Sequence, residues 1–104
     1  MTTQLSGQVD ATQIEKWKDA HGDGIYFISN KTDIAYFREP LVHDVEAALA
    51  AADDEKPFAA IRRFGDITFI GGSDRILKDG KMFLGARRKL AKHWGGIEAQ
   101  SGNL

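Results

Sequence analysis

"GDITFIGGSD", residues 65–74, decides how this chain is built. The stretch "GDITFI" alternates polar and apolar residues as a half-buried strand does. Yet it follows Phe58, Ile61 and Phe64, which are set at helical spacing, so it also reads as the last turns of that helix. Periodicity alone leaves both readings open.

The glycine pair inside it raises a chemical question, since Gly71, Gly72, Ser73, Asp74 and Arg75 resemble the makings of a phosphate loop. A Walker loop needs glycines spaced so that successive amides converge on phosphate, followed by Lys and a hydroxyl residue. "GGSDRILK" has neither the spacing nor the ending, and no clear βαβ unit surrounds it as a dinucleotide site requires. A connector is the more economical reading. Gly71 or Gly72 would end the preceding helix in a left-handed cap, Ser73 would cap one short turn, and Asp79 would cap the final helix.

Working outward, 104 residues suffice for one domain, and the apolar content is that of an ordinary soluble protein. Cysteine is absent, which rules out disulfides and thiolate metal sites and fits a reducing cytosol. No apolar run approaches the roughly 20 residues that cross a bilayer. The start, "MTTQLSGQVD", lacks the basic and apolar parts of a signal peptide, so the expectation is a cytoplasmic protein. The near-neutral net charge of −1 hides an asymmetry: acids dominate up to Glu55 and bases from Lys56 onward. Such polarity either steers a charged partner or lets the two halves attract each other.

Residues 1–9 are polar and read as a flexible N-terminus. Asp10 can N-cap a first helix, with Gln13 at the capping-box position and Ile14 and Trp17 on one face, ending at "HGDG". "GIYFIS" and "DIAYF" around "NKT" predict a β-hairpin, with Tyr26 and Ile28 on one side and Ile25 and Phe27 on the other. Pro40 ends the second strand. The next helix carries Val45, Ala48, Leu49 and Ala52 on one stripe, with Asp44 as a possible cap. "DDEKP" breaks it, and Pro57 can open another. The last helix is the clearest: Phe83, Leu84, Arg87, Leu90, Ala91 and Trp94 recur at helical spacing, and Gly95–Gly96 close it.

Catalytic and metal chemistry have little to stand on. His21, His43 and His93 lack the i, i+4 spacing of paired ligands. Ser29, Ser73 and Ser101 show no nucleophile elbow, and no two carboxylates stand out as acid and base. No enzyme, metal or cofactor is therefore expected, with "GGSDR" the least implausible site for one. The basic last helix could dock on nucleic acid through Arg87, Arg88, Lys89 and Lys92. Against this, the protein is slightly acidic overall, and Phe83, Leu90 and Trp94 suit a core or a partner helix.

The order of elements, more than any single residue, resembles a family of small phage and prophage tail assembly proteins, or tail assembly chaperones. The similarity runs over residues 14 to 104 through "IEKWKDAHG", "IYFISNKTDIAYFREP", "VEAALAAADDEKPFAAIRRF", "FIGGSD", "KMFLGARRKL" and "IEAQSGNL". "RRF" and "ARRKL" are more basic than the family pattern, and Ser73 interrupts its Gly-Gly-Asp connector. The resemblance places that connector after a helix, and so favours "DITFI" as a helix end. It implies a protein without an active site that coats a tape-measure protein until tail-tube subunits replace it. Many copies, each binding weakly along one chain, add up through effective concentration.

The resulting expectation is a single α+β domain over residues 10–94, one antiparallel hairpin packed with about four helices, followed by a polar tail at 95–104. The first candidate for the partner surface is Phe83, Leu84, Arg87, Arg88, Leu90 and Trp94, and homo-oligomers are expected. If the apolar members of that set are core, the exposed hairpin edge, where a partner strand can add, takes their place.

Overall fold

A computed structural model describes residues 4–50, 59–93 and 101–103. In chain order the elements are α1 (Ala11–His21), β1 (Tyr26–Ser29), β2 (Ile34–Phe37), α2 (Val42–Ala50), α3 (Ala59–Thr68), β3 (Phe69–Gly72), α4 (Arg75–Lys78) and α5 (Gly80–His93). The chain is an α+β domain, as expected. Its sheet, however, has three antiparallel strands in the order β1-β2-β3, with five helices among the described residues. The breaker "DDEKP", the helix-opening Pro57, and Ala52, Phe58, Trp94, Gly95 and Gly96 lie outside the described residues.

The ambiguous stretch turns out to be both helix and strand. α3 runs through Thr68, whose hydroxyl donates back to the Phe64 carbonyl at 2.7 Å, and β3 begins at the next residue. The expected helix end at "DITFI" is thus corrected: helix stops at Thr68, and Phe69–Gly72 pairs with β2. Ala35 stands opposite Gly72, Tyr36 opposite Gly71 and Phe37 opposite Phe69, so Ile70 is an extra, bulged residue. A bulge increases local twist, which suits a strand that leaves a helix without a loop. The connector reading of the glycines falls with it. Gly72 has a positive φ of 97°, but it does so within the strand, not as a helix cap. Its Cβ position would lie 2.6 Å from the Ile34 carbonyl oxygen, so a side chain there meets backbone.

Local signals govern the other elements. The Asp10 side chain accepts from the Gln13 amide at 2.9 Å, and Gly22 closes α1 with its amide on the Lys18 carbonyl. β1 and β2 pair Tyr26 with Phe37 and Ile28 with Ala35. The Asn30 side chain accepts from the Thr32 and Asp33 amides at 2.8 Å each, which fixes the turn between them. Asp79 caps α5 as anticipated, accepting from the Lys81 and Met82 amides.

The two sheet faces are covered unequally. Ile28, Ala35 and Phe37 pack with Ile76, Leu77, Ala86 and Leu90 into the main core, with Tyr26, Phe69, Met82 and Phe83 at its margin. On the opposite face Trp17 of α1 lies over Tyr36, ring centroids 5.1 Å apart, and against the bare Cα of Gly71. Phe27, on that same face, is left largely exposed. Within the N-terminal stretch, expected to be flexible through residue 9, Ser6 bridges to Asp33 and the Val9 amide donates to the Tyr36 hydroxyl. Ser6 donates to the Thr32 carbonyl and accepts from the Ile34 amide.

Candidate functional site

Two buried acids hold the corners of the fold, and one of them shapes a groove. Asp33 ends the hairpin turn with its side chain fully buried. It accepts from Arg75 through Nε at 3.0 Å and Nη2 at 2.7 Å, and also from the Ser73 and Thr32 hydroxyls. These hydrogen bonds, that from Arg75 foremost, hold the carboxyl well below the usual carboxylate range, against the opposing effect of burial. Ser73 was expected to cap a turn, but its hydroxyl is committed to Asp33 and Asp74 stands at the N-cap of α4. The Ser73 amide is spent on the Ile34 carbonyl. "GGSDR" is therefore a strand end plus a structural anchor, with neither glycine shaping a phosphate cradle.

The second acid, Asp44, sits in the first turn of α2. It accepts from the Arg38 guanidinium at 2.7 and 3.3 Å, and from the Leu41 amide at 2.8 Å. Asp44 is thus not the cap expected from the sequence: α2 starts two residues earlier, and Asp44 reaches back from its third position to the amide of Leu41. The Arg38 cation lowers the Asp44 pKa and is itself raised by it. Arg38 also reaches the Ile67 and Glu39 carbonyls, so this pair ties β2, α2 and the end of α3 together.

Between the hairpin turn and the first half of α5 lies a groove of about 450 Å³. Ile28, Ile76, Met82 and Ala86 form its apolar floor, and Lys31, Lys81 and Lys89 stand among its walls with Ser29 and Thr32. Asp33 secures one wall, because its bonds to Ser73 and Arg75 pin the turn to the start of α4. Gly85 opens the other wall: a Cβ there would meet nothing within 4 Å. Among the described residues none of the three lysines is ion-paired, and no carboxylate lines the groove.

The candidate surface on α5 divides in two. Leu90 is fully buried and Phe83 is half-buried against the core, so these two hold the helix in place. Leu84 and Arg88 are exposed, Arg87 is half-buried, and Trp94 lies outside the described residues. Of the cations considered for nucleic acid, Arg88, Lys89 and Lys92 are exposed and Arg87 is half-buried, and Lys89 also lines the groove. A stronger apolar surface is on α2, where Val42 is 76% exposed and Leu49 60%, with Leu41 also exposed beside them. Val42 and Leu49 are two turns apart and so share a face. Sequence reading put Ala48 and Leu49 on one stripe; the structure buries Ala48 and leaves Leu49 exposed.

Of the groove residues, only Lys89 was visible as part of a functional pattern. Ile28 reads as one side of the hairpin, and Ile76 and Met82 belong to no apolar stripe singled out in the sequence. The signal that could have flagged the groove was Gly85, a small residue at the middle of an otherwise strong helix.

Among the described residues, no three His, Asp or Glu side chains gather as a metal site would need, and no helix is long and apolar enough to cross a membrane. No protein-family model, curated protein or solved structure matches the chain.

Proposed function

We propose that this chain is a non-enzymatic assembly protein of the phage tail kind, binding tape-measure or tail-tube proteins in the cytoplasm of a bacterial host. The observation that carries the reading is the outward face of α2. Three aliphatic side chains stand mostly in solvent, Val42 and Leu49 on one short helix with Glu46 between them and Leu41 just before it. Clustered exposed apolar side chains of this kind mark surfaces that meet another protein. The pair of half-buried Arg38 with buried Asp44 holds the start of that helix in place, so the surface is offered on a rigid element. Leu84 and Arg88 on α5 add a second exposed strip of the apolar and cationic character first expected there. Repeated weak contacts through such faces would coat a long chain without any single tight site.

The experiment is co-expression with a tape-measure segment, followed by co-purification and light scattering over a concentration series. Capture of the segment by the wild type, with loss in Val42→Glu plus Leu49→Glu, is the expected result. A strict monomer that leaves the segment behind overturns the reading.

A further inference from the structure

We propose that the groove between the hairpin turn and α5 is a second binding site, specific for a peptide segment that sets one or two apolar side chains between carboxylates. It uses different residues from the α2 face and stands whether or not the assembly reading does.

The chemistry of the lining points to this ligand. The floor is apolar: Ile28, Ile76 and Ala86 are almost wholly buried in the core, and half-buried Met82 leaves a small apolar surface above them. That favours a short aliphatic or aromatic side chain over an acyl chain, which would find nowhere to be enclosed. The rim is cationic at three separated points. Lys81 and Lys89 are eight residues apart on α5, about 12 Å along its axis, and Lys31 faces them from the turn. An extended peptide rises about 3.3 Å per residue, so carboxylates three to four residues apart match the two helix lysines while the side chains between them reach the floor. Among the described residues no aromatic ring lines the groove, which leaves bases without a stacking platform.

The walls are also pre-set. The turn is braced by the Asn30 side chain and anchored through Asp33 to Ser73 and Arg75, while α5 is fixed by Leu90 and Ala86. Little ordering is then needed on binding, which favours affinity for a flexible segment. The three lysines, two on α5 and one on the turn, stand around an apolar floor whose described lining holds no carboxylate, so an acidic segment offsets their mutual repulsion.

The test is selection of random peptides displayed on yeast against the full chain, with winners re-measured as labelled peptides by fluorescence anisotropy. Enriched sequences should place Leu, Ile or Phe between Asp or Glu. Their binding should weaken roughly tenfold or more in Lys81→Glu plus Lys89→Glu, and also on raising salt. Gly85→Trp should abolish it by filling the groove with the charges intact, and circular dichroism of each variant reports that α5 and the sheet persist. Failure to enrich any sequence, enrichment of sequences without acids, or equal binding by the charge-reversed chain overturns the proposal. So does saturable binding of a labelled oligonucleotide or of laurate that competes with the selected peptides more strongly than they bind. Loss of tape-measure capture with peptide selection intact refutes only the assembly reading, and the converse refutes only the groove.

Discussion

The Asp33 carboxylate is fully buried, and the Arg75 guanidinium, 42 residues further along the chain and more than half exposed, grips it side-on through two nitrogens at 3.0 and 2.7 Å. One acid thereby joins the hairpin turn to the start of α4, and through the turn it supports the N-terminal stretch at Ser6. A charge-assisted, bidentate contact of this kind fixes orientation as well as position.

Acid should therefore unfold the domain by a route that begins at Asp33 and Asp44. Both carboxyls are held below their ordinary range in the folded chain, by Arg75 and Arg38 respectively. Above about pH 5 both are ionised in folded and unfolded chains alike, and their contribution is complete. Below about pH 4 the unfolded chain takes up protons that the folded one refuses, and stability falls until the folded carboxyls protonate too. Urea unfolding from pH 7 to pH 2 should show a plateau followed by this decline. Asp33→Asn should lower the plateau and flatten the decline, whereas a variant with an unchanged slope would remove Asp33 as its source.

At the β2–α2 corner, Asp44→Ala should destabilise the fold by about 2 kcal/mol, since it removes both the Leu41 amide's partner and the Arg38 pair. A double-mutant cycle with Arg38→Ala should give a coupling above about 1 kcal/mol. Additive losses would mean that Asp44 acts as a cap alone.

Two leucines of α5 should separate cleanly. Leu90, fully buried between the sheet and α3, should cost about 3 kcal/mol as Leu90→Ala. Leu84, exposed, should change stability by no more than about 0.5 kcal/mol as Leu84→Ala. Denaturant midpoints for the two variants measure the contrast, and similar losses would contradict the placement of this helix.

Alanine at two glycines should act in opposite directions. Gly85→Ala, in a helix interior with open space around the new methyl, should stabilise by roughly 0.5–1 kcal/mol. Gly72→Ala should destabilise by roughly 1–3 kcal/mol, because its φ of 97° strains any L side chain and the methyl would press on the Ile34 carbonyl. Thermal melts of the pair give the answer, and a stabilised Gly72→Ala would contradict the strand pairing of "GG".

What the sequence by itself determined is the set of elements whose causes are local. Asp10 and Gln13 start α1, "HGDG" stops it, β-branched and aromatic runs around "NKTD" make the hairpin, and Asp79 starts α5. In each, the deciding contacts lie within a few residues, so spacing and residue type carry the information. Tertiary structure decided the rest. Residues 69–72 are compatible with either period, and only β2 as a neighbour makes them a strand. Asp33 is an ordinary turn acid until Ser73 and Arg75 arrive from some 40 residues away. The choice between core and surface on α2 and α5, which buried Ala48 and Leu90 and exposed Leu49 and Leu84, depends on how each helix is rotated against its neighbours. So does the groove, whose floor and three lysines come from elements that meet only when the sheet closes on α4 and α5. A periodic pattern states that a face exists; the partner that covers it is a property of the whole fold.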